Sequence, residues 1–205
     1  MVHIYLIAII SAISVMGFYH SQVVDKYLFN AWQILKKKEY YRLLTHGFVH
    51  GGWMHLLFNM FVLYSFGGTL IMLFEAYLGV NGSLLFLILF LSAIPISSLY
   101  SLQKERNNLR YNALGASGGV TAVLFASIFL EPYSGIMVFP VPFPIPGILF
   151  GIIYLIYSKI MASRNIDDIG HDAHFWGALY GFFFPVLFEP QLAKIFFLKL
   201  FSIFH

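Results

Sequence analysis

Three stretches of this chain, Val2 to Tyr19, Trp53 to Phe74 and Ser83 to Leu102, each run for at least eighteen residues without a lysine, arginine, aspartate or glutamate. A run of that length closes its backbone hydrogen bonds within itself as a helix and turns its side chains toward lipid. Three more apolar runs follow, at Leu114 to Leu130, Gly147 to Met161 and Ala173 to Phe188. Six spans are therefore expected. The whole sequence agrees: 60% of its 205 residues are hydrophobic and only 10% charged. One domain of this size cannot hide so much apolar surface in its own core. The fold class read from the sequence is an all-α integral membrane protein with six transmembrane helices. The absence of cysteine excludes disulfides and thiolate metal sites. A net charge of +3 invites a nucleic-acid reading, but the basic residues sit in loops between apolar spans, where they suit anionic headgroups. No nucleic-acid partner is expected.

The first run has His3 as its titratable side chain and no basic leader or Ala-x-Ala site, so it is expected to be a retained helix. Residues 20 to 50 then mix Lys26, Lys36, Lys37, Lys38 and Arg42 with Tyr27, Phe29, Trp32, Tyr40 and Tyr41. That mixture fits a partly helical segment at the membrane interface. Pro95 marks an expected kink in the third span. The fourth span, at 17 residues, gives roughly 25 Å of helix, short of a ~30 Å hydrocarbon core. Either the bilayer thins there, or the preceding loop dips inward and the helix starts below the surface. Pro132 ends it, and Pro140, Pro142, Pro144 and Pro146 keep the following connector extended. A polar loop with Arg164, Asp167 and Asp168 leads to the sixth span. Residues 1–190 form the six-span domain, and 191–205, apolar with Lys194 and Lys199, form a tail expected to lie in the interface.

Alternating spans put the starts of the second, fourth and sixth helices on one side of the membrane. His55 and Asn59 fall in the first two turns of the second, Ser117 in the first turn of the fourth, and His174 opens the sixth. Parity alone brings these four to similar depth. His55 and Asn59, four apart, share a face. Gly177 and Gly181 continue the stripe of His174, and Gly115 with Gly118 gives the fourth helix a matching smooth patch; two such faces permit close approach. The meeting of those faces would bring Ser117 within reach of His174. Small residues around a serine also have a plain packing explanation, since a hydroxyl can bond back to the preceding turn. Polar side chains inside a membrane are costly, however, and are functional candidates by default. A serine beside a histidine is the minimum for nucleophilic acyl transfer. His55, Asn59 and the Ser117 amide could donate to the oxyanion that forms.

Three motifs give the chain a family likeness: Gly115-Ala116-Ser117-Gly118, Ala173-His174-Phe175-Trp176-Gly177, and His55-Leu56-Leu57-Phe58-Asn59. Together they resemble the Gly-x-Ser-Gly, Ala-His-x-x-Gly and His-x-x-x-Asn motifs of rhomboid intramembrane serine proteases. His46 and His50 fall at that family's spacing ahead of the last, and the similarity spans all six helices in order. The resemblance implies a rhomboid-like bundle with a long half-embedded first loop. It implies a Ser117–His174 dyad without a third acid, and an oxyanion site made by His55, Asn59 and the Ser117 backbone amide. It also implies a lateral gate at the fifth helix, and a water-filled site capped by the loop before the sixth. The reaction implied is cleavage of peptide bonds in or near transmembrane segments of membrane proteins through an acyl-enzyme. Neither cofactor nor metal is implied, and the location implied is the inner membrane of a bacterium. Two departures stand out. The family's Trp-Arg pair appears as Tyr41-Arg42. Thr121 occupies the position, one turn past the serine, where relatives often carry an aromatic that packs under the histidine; Phe125 is a nearby substitute.

Other readings remain beside this one. His171 shares a face with His174, but in a polar loop after Gly170 it should lie nearer water. Asp172 invites a Ser-His-Asp triad, yet two residues from His174 on a helix it points elsewhere and is expected to be solvated. His46, His50, His55, His171 and His174 would suit a membrane metalloprotein. A rhomboid-like protein that binds membrane proteins without cutting them is a third possibility. Orientation is contested too: ten Lys and Arg residues fall in the loops after helices one, three and five against two, Lys194 and Lys199, on the other side. That count puts the catalytic face in the cytoplasm, whereas the resemblance puts it outside. Substrate identity and oligomeric state have no signature in the sequence.

Overall fold

A computed structural model of the chain describes residues 1–164 and 170–201. Asp167 and Asp168 of the last loop, and His205, lie outside them. Helix α1 (Val2–Tyr19) leads into a connection of short pieces: α2 (Ser21–Tyr27), α3 (Ala31–Lys36), α4 (Arg42–Thr45) and a 3₁₀ turn at His46–Phe48. Two long helices follow, α5 (Trp53–Leu78) and α6 (Gly82–Lys104), then the shorter α7 (Ser117–Leu130). An antiparallel pair of two-residue strands, β1 (Gly135–Ile136) and β2 (Ile145–Pro146), precedes α8 (Gly147–Arg164), α9 (His171–Phe188) and α10 (Gln191–Phe201).

All six apolar runs form helices, but not six helices of spanning length. Among the described residues, α1, α5, α6 and α8 are each long and apolar enough to cross a bilayer, and α9 with α10, bent by 118°, makes a fifth candidate. The exception is α7. It starts at Ser117, three residues later than expected, and its 14 residues give about 21 Å of helix. It nevertheless sits at the centre of the bundle, packed against α5, α6, α8 and α9. Every residue from Gly118 to Leu130 is buried, which is the pattern of a helix apolar on all sides. The segment leading into it is held by the first connection: Ala113 pairs with Phe29, the Gly115 amide donates to the His46 carbonyl, and the Ala116 amide donates to His50.

That hold is specific. Phe29 and Ala113 exchange backbone hydrogen bonds of 2.8 and 3.0 Å. The Asn30 side-chain amide donates to the carbonyls of Leu109 and Tyr111 and to Asn112 Oδ1, while its Oδ1 caps α3 by accepting from Gln33 N. Arg42, buried, donates to the carbonyls of Asp25 and Leu28 at 2.9 Å and pairs with Glu39. The expected partly helical connection is thus a folded strap. Tyr41 beside it stays 44% exposed, its ring against the guanidinium.

Close helix approach centres on α7 and α9. A methyl at Gly181 would fall on the Ala122 backbone, and one at Gly177 on the Gly118 carbonyl and Thr121 Oγ1. Gly118 itself is pressed by Ser97 of α6. Gly115 differs from its expected role: it precedes the helix with φ +117°, and a Cβ there would meet the His55 ring. A glycine is needed there for its backbone angle and for His55. Helix α6 runs through Pro95 as one helix, with Ser97 and Ser98 hydroxyls donating to the Ile94 carbonyl. At the opposite end of α7, Lys199 of α10 donates to the Leu130 carbonyl (2.8 Å) and pairs with Glu131 (2.9 Å), which also accepts from Tyr77. A cation at a helix C-terminus offsets its partial negative charge.

Candidate active site

The starts of α5, α7 and α9 surround a cavity of about 1040 Å³, and Ser117, His174, His55 and Asn59 all line it. The parity argument therefore brings these four side chains together. Ser117 is the first residue of α7, and the turn containing it lies against the first two turns of α9, backbone on backbone, through Gly118 and Gly177. Among the described residues, the Ser117 hydroxyl makes no hydrogen bond to His174. Such contacts are often long in the resting state of an enzyme. As the first residue of a helix, Ser117 has a backbone N–H without an intrahelical acceptor.

His174 is the fourth residue of α9, because that helix begins two residues earlier than expected, at His171. This reverses the expectation for His171. It is 4% exposed, whereas His174 is half-buried. Its ring meets His174 edge-on at 5.8 Å and Tyr157 edge-on at 5.7 Å. Asp172 is not simply solvated: it accepts from Lys104 Nζ at 2.9 Å and ties the start of α9 to the end of α6.

Asn59 donates one amide N–H to the His55 carbonyl at 2.9 Å, leaving a second donor. The His55 ring rests on Gly115 and meets His50 edge-on at 5.0 Å.

His50 and His46 hold the serine loop. The Ala116 amide donates to His50 Nε2 at 3.3 Å, so that nitrogen is bare and Nδ1 carries the proton, which it gives to Ser14 Oγ at 2.8 Å; Ser14 in turn donates to the Phe48 carbonyl. His46 sits between the Arg42 carbonyl (2.8 Å) and Ser98 Oγ (3.2 Å), and its own carbonyl accepts from Gly115 N at 2.9 Å. Both imidazoles stay neutral. Burial lowers His46 to about 4, and burial, with a smaller push from His55, lowers His50 to about 3. Among the described residues no three histidine or carboxylate side chains converge as metal ligands. Sequence reasoning missed the role of Ser14, and it missed Tyr154, whose ring lies beside His174 at 6.5 Å with 28° between planes. The expected substitute, Phe125, packs on Tyr154 instead, at 5.6 Å.

The fold and the site define a class: a multi-pass helical membrane protein whose polar side chains gather in one cavity at the helix starts. The chain belongs to the rhomboid family, its residues 37–191 matching the family model of the rhomboid domain. It is also similar to RHOMBOID-like protein 12, mitochondrial, of Arabidopsis thaliana, with 28% identity over 151 residues, 70% of this chain and 45% of that protein. The chain thus spans less than half the length of that relative.

Proposed function

We propose that this protein is an intramembrane serine endopeptidase that cuts peptide bonds in or beside transmembrane segments of other membrane proteins. The observation that carries the reading is the shared cavity: Ser117 and His174, on touching turns of α7 and α9, line it with His55 and Asn59. In this mechanism Ser117 Oγ attacks the scissile carbonyl carbon while His174 takes the hydroxyl proton. The imidazolium returns that proton to the amide nitrogen as the C–N bond breaks, leaving an ester on Ser117. Water then attacks the ester, gives its proton to His174, and the serine leaves as a hydroxyl. Negative charge on the carbonyl oxygen is met by the Ser117 backbone amide, by the second N–H of Asn59 and by His55. A cavity of this volume admits the water that the second half-reaction consumes.

The same proposal includes six crossings (α1 and α5 to α9), a half-embedded first connection, residues 191–205 lying in the interface, and a bacterial inner membrane as its location. Its partners are transmembrane substrates and the bilayer. The test is cleavage of a single-span reporter substrate by purified protein. Wild type should cut, and Ser117→Ala and His174→Ala should each lose at least ~10³-fold in rate, as expected when a nucleophile or its base is removed. Undiminished cleavage by Ser117→Ala would overturn the assignment. A fluorophosphonate should label wild type and leave Ser117→Ala unlabelled.

A further inference from the structure

We propose that Tyr154, on α8, is a positioning residue for His174, so that the base on α9 is oriented by a ring from a different helix. The proposal rests on the reading of Ser117 and His174 as nucleophile and base. Helix α7 offers His174 no flat surface of its own: Thr121, one turn past Ser117, donates its hydroxyl to the carbonyls of Ser117 and Gly118. The surface comes from Tyr154, whose ring is nearly parallel to the imidazole, 28° between planes and 6.5 Å between centroids, inside the range of interacting ring pairs. Tyr154 is itself held, against Phe125 of α7 at 5.6 Å and Phe150 of α8 at 5.8 Å. Gly151, one turn before Tyr154 on α8, faces the same Phe125 ring, which a Cβ there would meet at 3.4 Å, an ordinary contact distance. One turn on, Tyr157 meets His171 edge-on. Two residues three apart on α8 thus flank two residues three apart on α9, forming a clasp of four rings beside Ser117.

An imidazole that takes and returns a proton has to keep its nitrogen aimed at two successive partners. A ring along one face narrows its rotation about χ2, and small misplacements of a reacting group are expensive in rate. Tyr154 touches neither substrate nor the reacting atoms in this scheme; it acts through His174.

The full chain, purified in detergent or reconstituted, is assayed on the single-span reporter as wild type, Ser117→Ala, Tyr154→Phe, Tyr154→Leu and Tyr154→Met, with a thermal unfolding midpoint for each. Tyr154→Leu should lower kcat by roughly 10- to 100-fold with KM within about twofold, the size of effect set by misorienting a catalytic group. Tyr154→Phe, which keeps the ring, should restore kcat to within a few-fold of wild type. Tyr154→Met fills the space without a flat face and should behave as Tyr154→Leu; it decides the matter if the leucine variant unfolds. Wild-type kcat in the leucine or methionine variant overturns the proposal while leaving the Ser117 reading intact, provided Ser117→Ala is inert. A phenylalanine variant as slow as leucine also overturns it, because the hydroxyl and not the ring would then be responsible. An inert wild type would remove the Ser117 reading and this proposal with it.

Discussion

His50 has both ring nitrogens committed, one accepting from the Ala116 N–H and one donating to Ser14 of α1. A second proton on Nε2 would point at the Ala116 N–H, so the fold tolerates only the neutral ring. The unfolded chain has no such restriction and takes up that proton near pH 6.5. The sign follows by linkage: from about pH 6.5 downward the unfolded state binds protons that His46 and His50 refuse until about 4 and 3, so stability declines across that window. The unfolding midpoint in detergent should therefore fall between pH 7 and 4.5, and the slope should be shallower in His50→Asn. At neutral pH, His50→Ala should cost about 1–3 kcal/mol, because the buried Ala116 amide and Ser14 hydroxyl each lose a partner. Thermal unfolding measures that too. At this scale the sequence was a good guide wherever placement depends on position along one helix. That Ser117, His174, His55 and Asn59 line one cavity was legible from spacing and parity. Tyr154, Ser14, and the burial of His171 with the pairing of Asp172 were not, because each depends on how one helix is rotated against another, which periodicity within a single element does not encode.

The elements were legible to within a few residues, since long uncharged runs admit one secondary structure. What stayed hidden was the special status of α7. A helix that reads as a short lipid-facing span is enclosed by its neighbours, and the same apolar residues suit both surroundings. The contact between α7 and α9 makes a sharp test. At Gly181 an added methyl meets Ala122 backbone, which cannot yield as a side chain can. Gly181→Ala should destabilise by about 1–3 kcal/mol, read as a lower unfolding midpoint. Gly177→Ala meets Thr121 Oγ1 and the Gly118 carbonyl beside Ser117, so it should reduce cleavage as well. If both variants match wild type in midpoint, the two backbones are not in contact. The strap of residues 20–50 was read as interfacial from composition. Its chief task in the fold, holding residues 109–116 through Phe29, Asn30, His46 and His50, left no periodic trace.

For the molecule as a whole, the distribution of basic residues and the family likeness disagree on which side the cavity opens. The structure removes Arg42 from the count of headgroup contacts, since it is buried among backbone carbonyls and Glu39, and Lys104 is paired with Asp172. Half of the eight that remain, Lys26, Lys36, Lys37 and Lys38, are in the strap, where the positive-inside rule is weakest. We expect the cavity to face away from the cytoplasm and a reporter fused after His205 to be read on the cytoplasmic side; the reverse result would favour the charge count. Enclosure of α7 carries one more consequence. The helix bearing Ser117 is wrapped in other helices along nearly its whole length, so acyl chains hardly touch it. Swapping short-chain for long-chain phospholipids alters the surroundings of α1, α5 and α8 while the serine keeps the same neighbours, as though its solvent were protein.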